Sequence, residues 1–98
     1  MNLSRMLRAR EEEGNRVRVG LIGAGKFGSM FLAQVRRTAG MHLVGVADLS
    51  GDRAHAALAR TGWEVDWVDA RTPDEAYKRG TTWVTEDAAA LILADEVE

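Results

Sequence analysis

The stretch VRVGLIGAGKFG, residues 17–28, decides how this chain folds. The mostly apolar run Val17 to Ile22 is followed at once by Gly23, Gly25 and Gly28, and then by a pattern of helical period. Each glycine answers a physical need. Gly23 lets the backbone turn sharply out of a strand, and Gly25 removes a Cβ where a pyrophosphate must approach the main chain. Gly28 lets a helix lie close on the strand. The helix that opens there presents unpaired N–H groups and the positive end of its dipole. Such a G-x-G-x-x-G run is weak alone. It gains weight from a strand before it, a helix behind it and an acid about 20 residues further on.

Working outward, Phe27, Met30, Phe31 and Val35 share one face of the expected helix from Lys26. Arg36 and Arg37 fall near its negative end, and Gly40 is the expected residue just past its C-terminus. His42 to Ala47, apolar at Leu43, Val44, Val46 and Ala47, reads as a buried parallel strand closing at Asp48. Residues 17–48 therefore form a βαβ unit of about 30 residues with a right-handed crossover. Asp48 falls at the tip of the second strand, where a carboxylate accepts hydrogen bonds from an adenosine ribose.

The candidate cofactor residues are Gly23, Ala24, Gly25, Lys26, Phe27, Gly28, Asp48, Leu49 and Arg53. The backbone amides of Lys26 and Phe27 are first-turn donors to a pyrophosphate. The Lys26 side chain either adds charge or stands in solvent, and Phe27 fits core better than cofactor contact. Asp48 argues for NAD over NADP by like-charge repulsion of a 2′-phosphate, whereas an arginine such as Arg53 can accommodate that phosphate. The bland alternative is a tight strand-to-helix turn with Asp48 opening a surface loop. No catalytic residue and no metal ligand set is expected. His42 and His55 have no second ligand at metal spacing and read as surface or helix histidines.

The rest of the chain supports the same α/β alternation. Residues 2–13 carry Leu3, Met6 and Leu7 at helical spacing, an amphipathic N-terminal helix (residues 1–15) ahead of a domain spanning 16–98. Ser50 caps a second helix with Ala54, Ala57 and Leu58 on its apolar face and Gly62 at its end. Trp63 to Ala70 reads as a short strand or an aromatic-pinned loop. Thr72-Pro73-Asp74-Glu75 is a helix start with a capping-box threonine and glutamate, and Gly80 stops that helix. Thr82 to Val84 reads as a third strand, with Thr85 expected to cap a helix reaching about Ala94. The tryptophans, Trp63, Trp67 and Trp83, seal a core or line a cleft.

Composition narrows the classes. The chain has 98 residues, net charge −2 with both signs interspersed, and no cysteine. A basic nucleic-acid-binding face is not suggested, and thiolate chemistry and disulfides are excluded. No apolar stretch approaches the ~18 residues of a membrane span, and the start lacks a secretory signal. A cytoplasmic protein is expected. The expected fold class is α/β, a Rossmann-type parallel sheet forming the truncated N-terminal half of a doubly wound dinucleotide-binding domain. The next element in such a domain is a strand pairing with the first, on the side away from the second. The chain therefore reads as the leading part of a longer enzyme.

Arg18 to Met30, Gly45-Val-Ala-Asp-Leu49 and Thr82-Trp-Val-Thr-Glu-Asp87, with the arginine-rich opening helix, resemble the N-terminal end of homoserine-dehydrogenase-like oxidoreductases that carry a SAF domain. That group includes the 1-deoxy-D-xylulose 5-phosphate reductoisomerase-like enzymes. The resemblance covers essentially the whole chain, with residues 62–87 its more specific part. It implies NAD or NADP as cofactor, an oxidoreductase acting on a small polar carbonyl or hydroxyl substrate, and catalytic residues in a C-terminal domain missing here. Gly23, Gly25, Gly28 and Asp48 match the family's cofactor positions. The piece alone is not expected to be active. The rival reading is a non-catalytic NAD(H)-sensing regulatory module built on the same fingerprint. A methyltransferase lobe fits less well, because its third glycine usually comes one residue earlier.

Overall fold

The structure, a computed structural model, describes residues 3–14, 16–23 and 26–97. Its elements run α1 (Leu3–Glu12), β1 (Val17–Ile22), α2 (Lys26–Val35), β2 (Met41–Ala47), α3 (Gly51–Arg60), a 3-10 turn (Val65–Trp67), α4 (Pro73–Arg79), β3 (Trp83–Thr85) and α5 (Ala88–Leu93). The strands form one open, all-parallel sheet in the order β1-β2-β3. The chain is α/β and Rossmann-like, with the βαβαβ order of one half of a doubly wound sheet.

β2 sits in the middle, and His42 through Ala47 are all buried. Among the described residues β1 pairs with β2 alone, and Ile22 at its end is 56% exposed. The ladder between them slips by one residue. Val19 stands opposite Leu43 but Gly20 stands opposite Gly45, so Val44 is an extra residue in β2. This bulge interrupts the two-residue alternation of side chains. Leu43 and Val46 consequently face one cluster, with Leu32 and Val35 of α2 and Ala54 and Leu58 of α3. Val44 turns to the opposite face, against Ala70 and Ala76. Helices thus cover both faces of β2, as a strand this apolar requires.

The local signals that act through single turns hold. Ser50 Oγ accepts from Arg53 N at 3.2 Å, and Thr72 Oγ1 accepts from Glu75 N at 3.1 Å with Pro73 in the first turn. The Glu75 carboxylate turns to Arg79, at 2.9 Å. Gly80 closes α4 in the left-handed region, at φ 71°. Trp63 to Ala70 is an aromatic-pinned loop rather than a strand of any length. Trp63 meets Trp67 edge-on at 6.3 Å, and its Nε1 donates to Leu32 O. Only Ala70 bridges to Trp83.

Three expectations are corrected. Thr85 is the last residue of β3 and its Oγ1 accepts from Asp87 N, whereas Asp87 caps α5 by accepting from Ala90 N at 3.2 Å. α5 opens at Ala88, so the residue just before it, Asp87, stands at the cap position and Thr85 lies two residues too early. Gly40 does not terminate α2, which ends at Val35 with Gln34 O taking the Arg37 N–H and the Thr38 hydroxyl. Gly40 instead docks α1: a Cβ there would lie 2.0 Å from Leu7 O, and its N–H donates to Glu11 Oε2. His42 is neither a surface nor a helix residue. It is 7% exposed within β2, and its Nε2 lies 2.7 Å from Thr81 O. A carbonyl can only accept, so Nε2 carries the hydrogen. Burial lowers the His42 pKa, the Thr81 bond opposes that, and Arg16 and Arg18 push it down further.

Candidate functional site

The carboxyl ends of the three strands stand side by side. Gly23 N donates to Ala47 O at 2.7 Å and Asp48 N donates to Thr85 O at 3.0 Å, so the residues leaving β1, β2 and β3 are tied edge to edge. Open parallel sheets bind ligands in the crevice beyond these ends. Here that crevice is a cavity of about 210 Å³ lined by Ile22, Gly23, Ala47, Asp48, Leu49, Glu86 and Ala88. The hollow is mostly apolar, with two carboxylates placed in its wall.

Two glycines of the motif have separate structural reasons. Gly23 has φ 86°, and a Cβ at this position would meet nothing within 4 Å, so conformation alone calls for glycine there. Gly28 is the reverse case. A Cβ at Gly28 would stand 2.5 Å from Gly23 O, so α2 lies against the turn only because that atom is missing. Ala24 and Gly25 lie outside the described residues. Lys26 and Phe27 are the first two residues of α2, and their side chains too lie outside what is described.

Asp48 is clamped. Arg53 Nε donates to its Oδ2 at 2.8 Å and Nη2 to its Oδ1 at 3.1 Å, a two-pronged pair in which the Asp48 side chain is 5% exposed and that of Arg53 57%. The hydrogen bond to Asp48, with its charge, raises the Arg53 pKa above its ordinary value. One turn of α3, started by Ser50, puts the two side chains together. Arg53 is not part of the cavity wall, and Leu49 projects beside it as one of the most exposed apolar residues.

The structure thus brings Gly23, Asp48 and Leu49 to one cavity, sets Gly28 against Gly23, and joins Arg53 to Asp48. Ile22, Ala47, Glu86 and Ala88 complete the wall, and none of them stands out as a candidate from sequence. Glu86 has a usable signal. It follows the third strand as Gly23 follows the first and Asp48 the second, but it reads equally as a first-turn helix acid. Larger hollows lie elsewhere, among them one of about 270 Å³ between α1 and the residues after α2; two others bear on the choice of site. One, of about 290 Å³, is lined by Arg16, Met41, His42 and Thr82 at the amino ends of the strands. The other, of about 390 Å³, lies between α3 and the Trp63–Asp69 loop. The first includes Gly80, but that glycine closes α4 rather than opening a helix, and neither wall holds the head of a crossover helix. Among the described residues no group of three His, Asp or Glu side chains is placed to hold a metal ion, and no helix is long and apolar enough to cross a membrane. No family model matches the chain, and no curated protein matches it either.

Proposed function

We propose that this chain is the NAD(P)-binding lobe of a nicotinamide-dependent oxidoreductase, with the adenosine half of the cofactor seated at the carboxyl edge of the sheet. The observation that carries this reading is the convergence of the positive-φ Gly23, the Cβ-free contact of Gly28 with Gly23 O, and Asp48 across one small cavity. A glycine turn feeding a helix head supplies main-chain donors for a pyrophosphate. A carboxylate one strand away supplies acceptors for ribose hydroxyls. Ile22, Leu49 and Ala88 offer an apolar flank for a flat base. The cavity volume, about 210 Å³, is below the ~300–1,000 Å³ of sites that enclose a drug-sized ligand. It suits one nucleoside rather than a whole dinucleotide.

When bound, the nicotinamide accepts or gives a hydride, and the lobe's part is to bind and orient. The resemblance of Arg18–Met30, Gly45–Leu49 and Thr82–Asp87 to homoserine-dehydrogenase-like enzymes supports the oxidoreductase class and a small polar substrate. Catalytic side chains for that reaction belong, on this reading, to a further domain.

Titration of the 98-residue chain with ADP-ribose, followed by amide shifts, tests the reading. Gly23, Gly28, Asp48 and Leu49 are expected to move together; shifts confined to other surfaces overturn it. Asp48→Ala should raise the Kd for NAD about tenfold, from loss of a charged acceptor, and raise that for NADP less. Equal effects on the two nucleotides would remove Asp48 from the site.

A further inference from the structure

Glu86 is the second carboxylate in the cavity wall that holds Asp48, and it makes none of the cofactor contacts proposed above. We infer that Glu86 is a specificity-determining residue that selects an unphosphorylated adenosine ribose, making the lobe a binder of NAD(H) rather than NADP(H). The inference rests on the proposed cofactor reading and deepens it.

Charge distinguishes the two carboxylates. Asp48 and Arg53 neutralise one another through two short hydrogen bonds. Among the described residues Glu86 has no such cation in the cavity wall, whose other members are Ile22, Gly23, Ala47, Leu49 and Ala88. Among the described side chains, the ribose end of the crevice therefore carries an excess negative charge. An ionised carboxylate only accepts hydrogen bonds, and an ionised 2′-phosphate brings it no donor, so Glu86 opposes that phosphate.

Backbone donors lead to the same conclusion. A phosphate beside Asp48 would look for N–H groups at the head of α3. The Gly51 N–H is already taken by Glu86 Oε2 at 2.6 Å, and the Arg53 N–H by Ser50 Oγ. A Cβ at Gly51 would lie 3.3 Å from Glu86 Oε2, tighter than an ordinary contact, so glycine at this position leaves room for the carboxylate. Glu86 thus occupies one of the donors at the head of α3 and places a like charge in the path of a 2′-phosphate. Asp48 alone would leave Arg53 as a counter-charge open to that phosphate; Glu86 tips the balance.

The test compares 5′-AMP with adenosine 2′,5′-bisphosphate, which differ only in the 2′-phosphate, on the 98-residue chain and on Glu86→Gln. Glutamine keeps an oxygen for the Gly51 N–H, and unchanged amide positions away from the crevice verify the fold. In the native chain 5′-AMP should bind about tenfold more tightly than the bisphosphate, as expected for one like charge at partly screened range. Glu86→Gln should bring the two affinities within about twofold of each other while changing that of 5′-AMP little. A merely structural role would weaken both ligands alike and leave their ratio unchanged. An unchanged ratio, or equal binding to the native chain, overturns the inference and leaves the cofactor reading standing. If neither ligand moves the crevice residues at millimolar concentration, the cofactor reading itself fails, and the inference with it.

Discussion

β1 and β2 read alike as sequence, two short apolar runs each ending at a turn, yet the fold treats them differently. β2 lies between two partners with helices on both faces, and every residue from His42 to Ala47 is buried. β1 pairs along one edge only among the described residues, and none of Val17 to Ile22 is fully buried. Apolar pattern reports what a strand can bury; the number of neighbours decides what it does bury. The division also sorts roles. β2 carries the core and delivers the clamped Asp48, while β1 delivers the glycine turn and an exposed wall residue, Ile22.

The largest test of that contrast is a pair of truncations. Leu43→Ala in β2, where the side chain is 2% exposed, should cost about 2–5 kcal/mol in urea unfolding. Ile22→Ala in β1 should cost under about 1 kcal/mol. Similar losses at both positions would show that β1 is covered in solution and break the comparison.

Gly28→Ala probes the junction between β1 and α2. The new methyl meets a backbone oxygen rather than a yielding side chain. Overpacking of this kind should cost about 1–3 kcal/mol and abolish ADP-ribose shifts at Gly23. A variant with native stability and unchanged binding would separate the helix contact from the site.

The smallest expected effect is a pH dependence seated in β2. The folded pKa of His42 is lowered, chiefly by burial, so the unfolded chain binds the proton more readily. The stability from keeping His42 neutral is present above about pH 6.5 and is lost as pH falls from there through the folded value. The slope for this one group is at most about 1.4 kcal/mol per pH unit. Denaturant midpoints at about pH 7.5 and about pH 5.5, on either side of the ordinary histidine value, should show the loss. His42→Gln, which keeps a donor for Thr81 O, should reduce it. An undiminished slope in that variant would assign the effect to other groups.

Much of the fold is legible in the sequence because the signals are local. The shift from strand to helical period at Lys26, the Ser50 cap, and Thr72-Pro73 with Gly80 each act within one or two turns of chain. Thr85 and Asp87 cannot be ranked as caps from sequence, because both are cap-type residues two apart and only pairing of Thr85 with Ala47 decides between them. Gly40 misleads for a similar reason. Its φ of 86° is local, but the contacts that fix its place come from Leu7 and Glu11, more than twenty-five residues earlier in the chain. The candidate site divides the same way. Gly23, Gly28 and Asp48 are readable from spacing, but Glu86 is not, because its link to Gly51 spans 35 residues.

By itself the sequence determined the α/β order, the strand-turn-helix carrying Gly23 and Gly28, and the acid at the tip of β2. Those features depend on the period of apolar residues and on the conformations glycine and cap residues allow, which neighbouring residues settle among themselves. Only the tertiary structure decided that β2 and not β1 is buried, that Val44 bulges, and that Glu86 joins the wall that holds Asp48. Each of these depends on segments distant in the chain meeting in space, and no local pattern encodes which of them will meet.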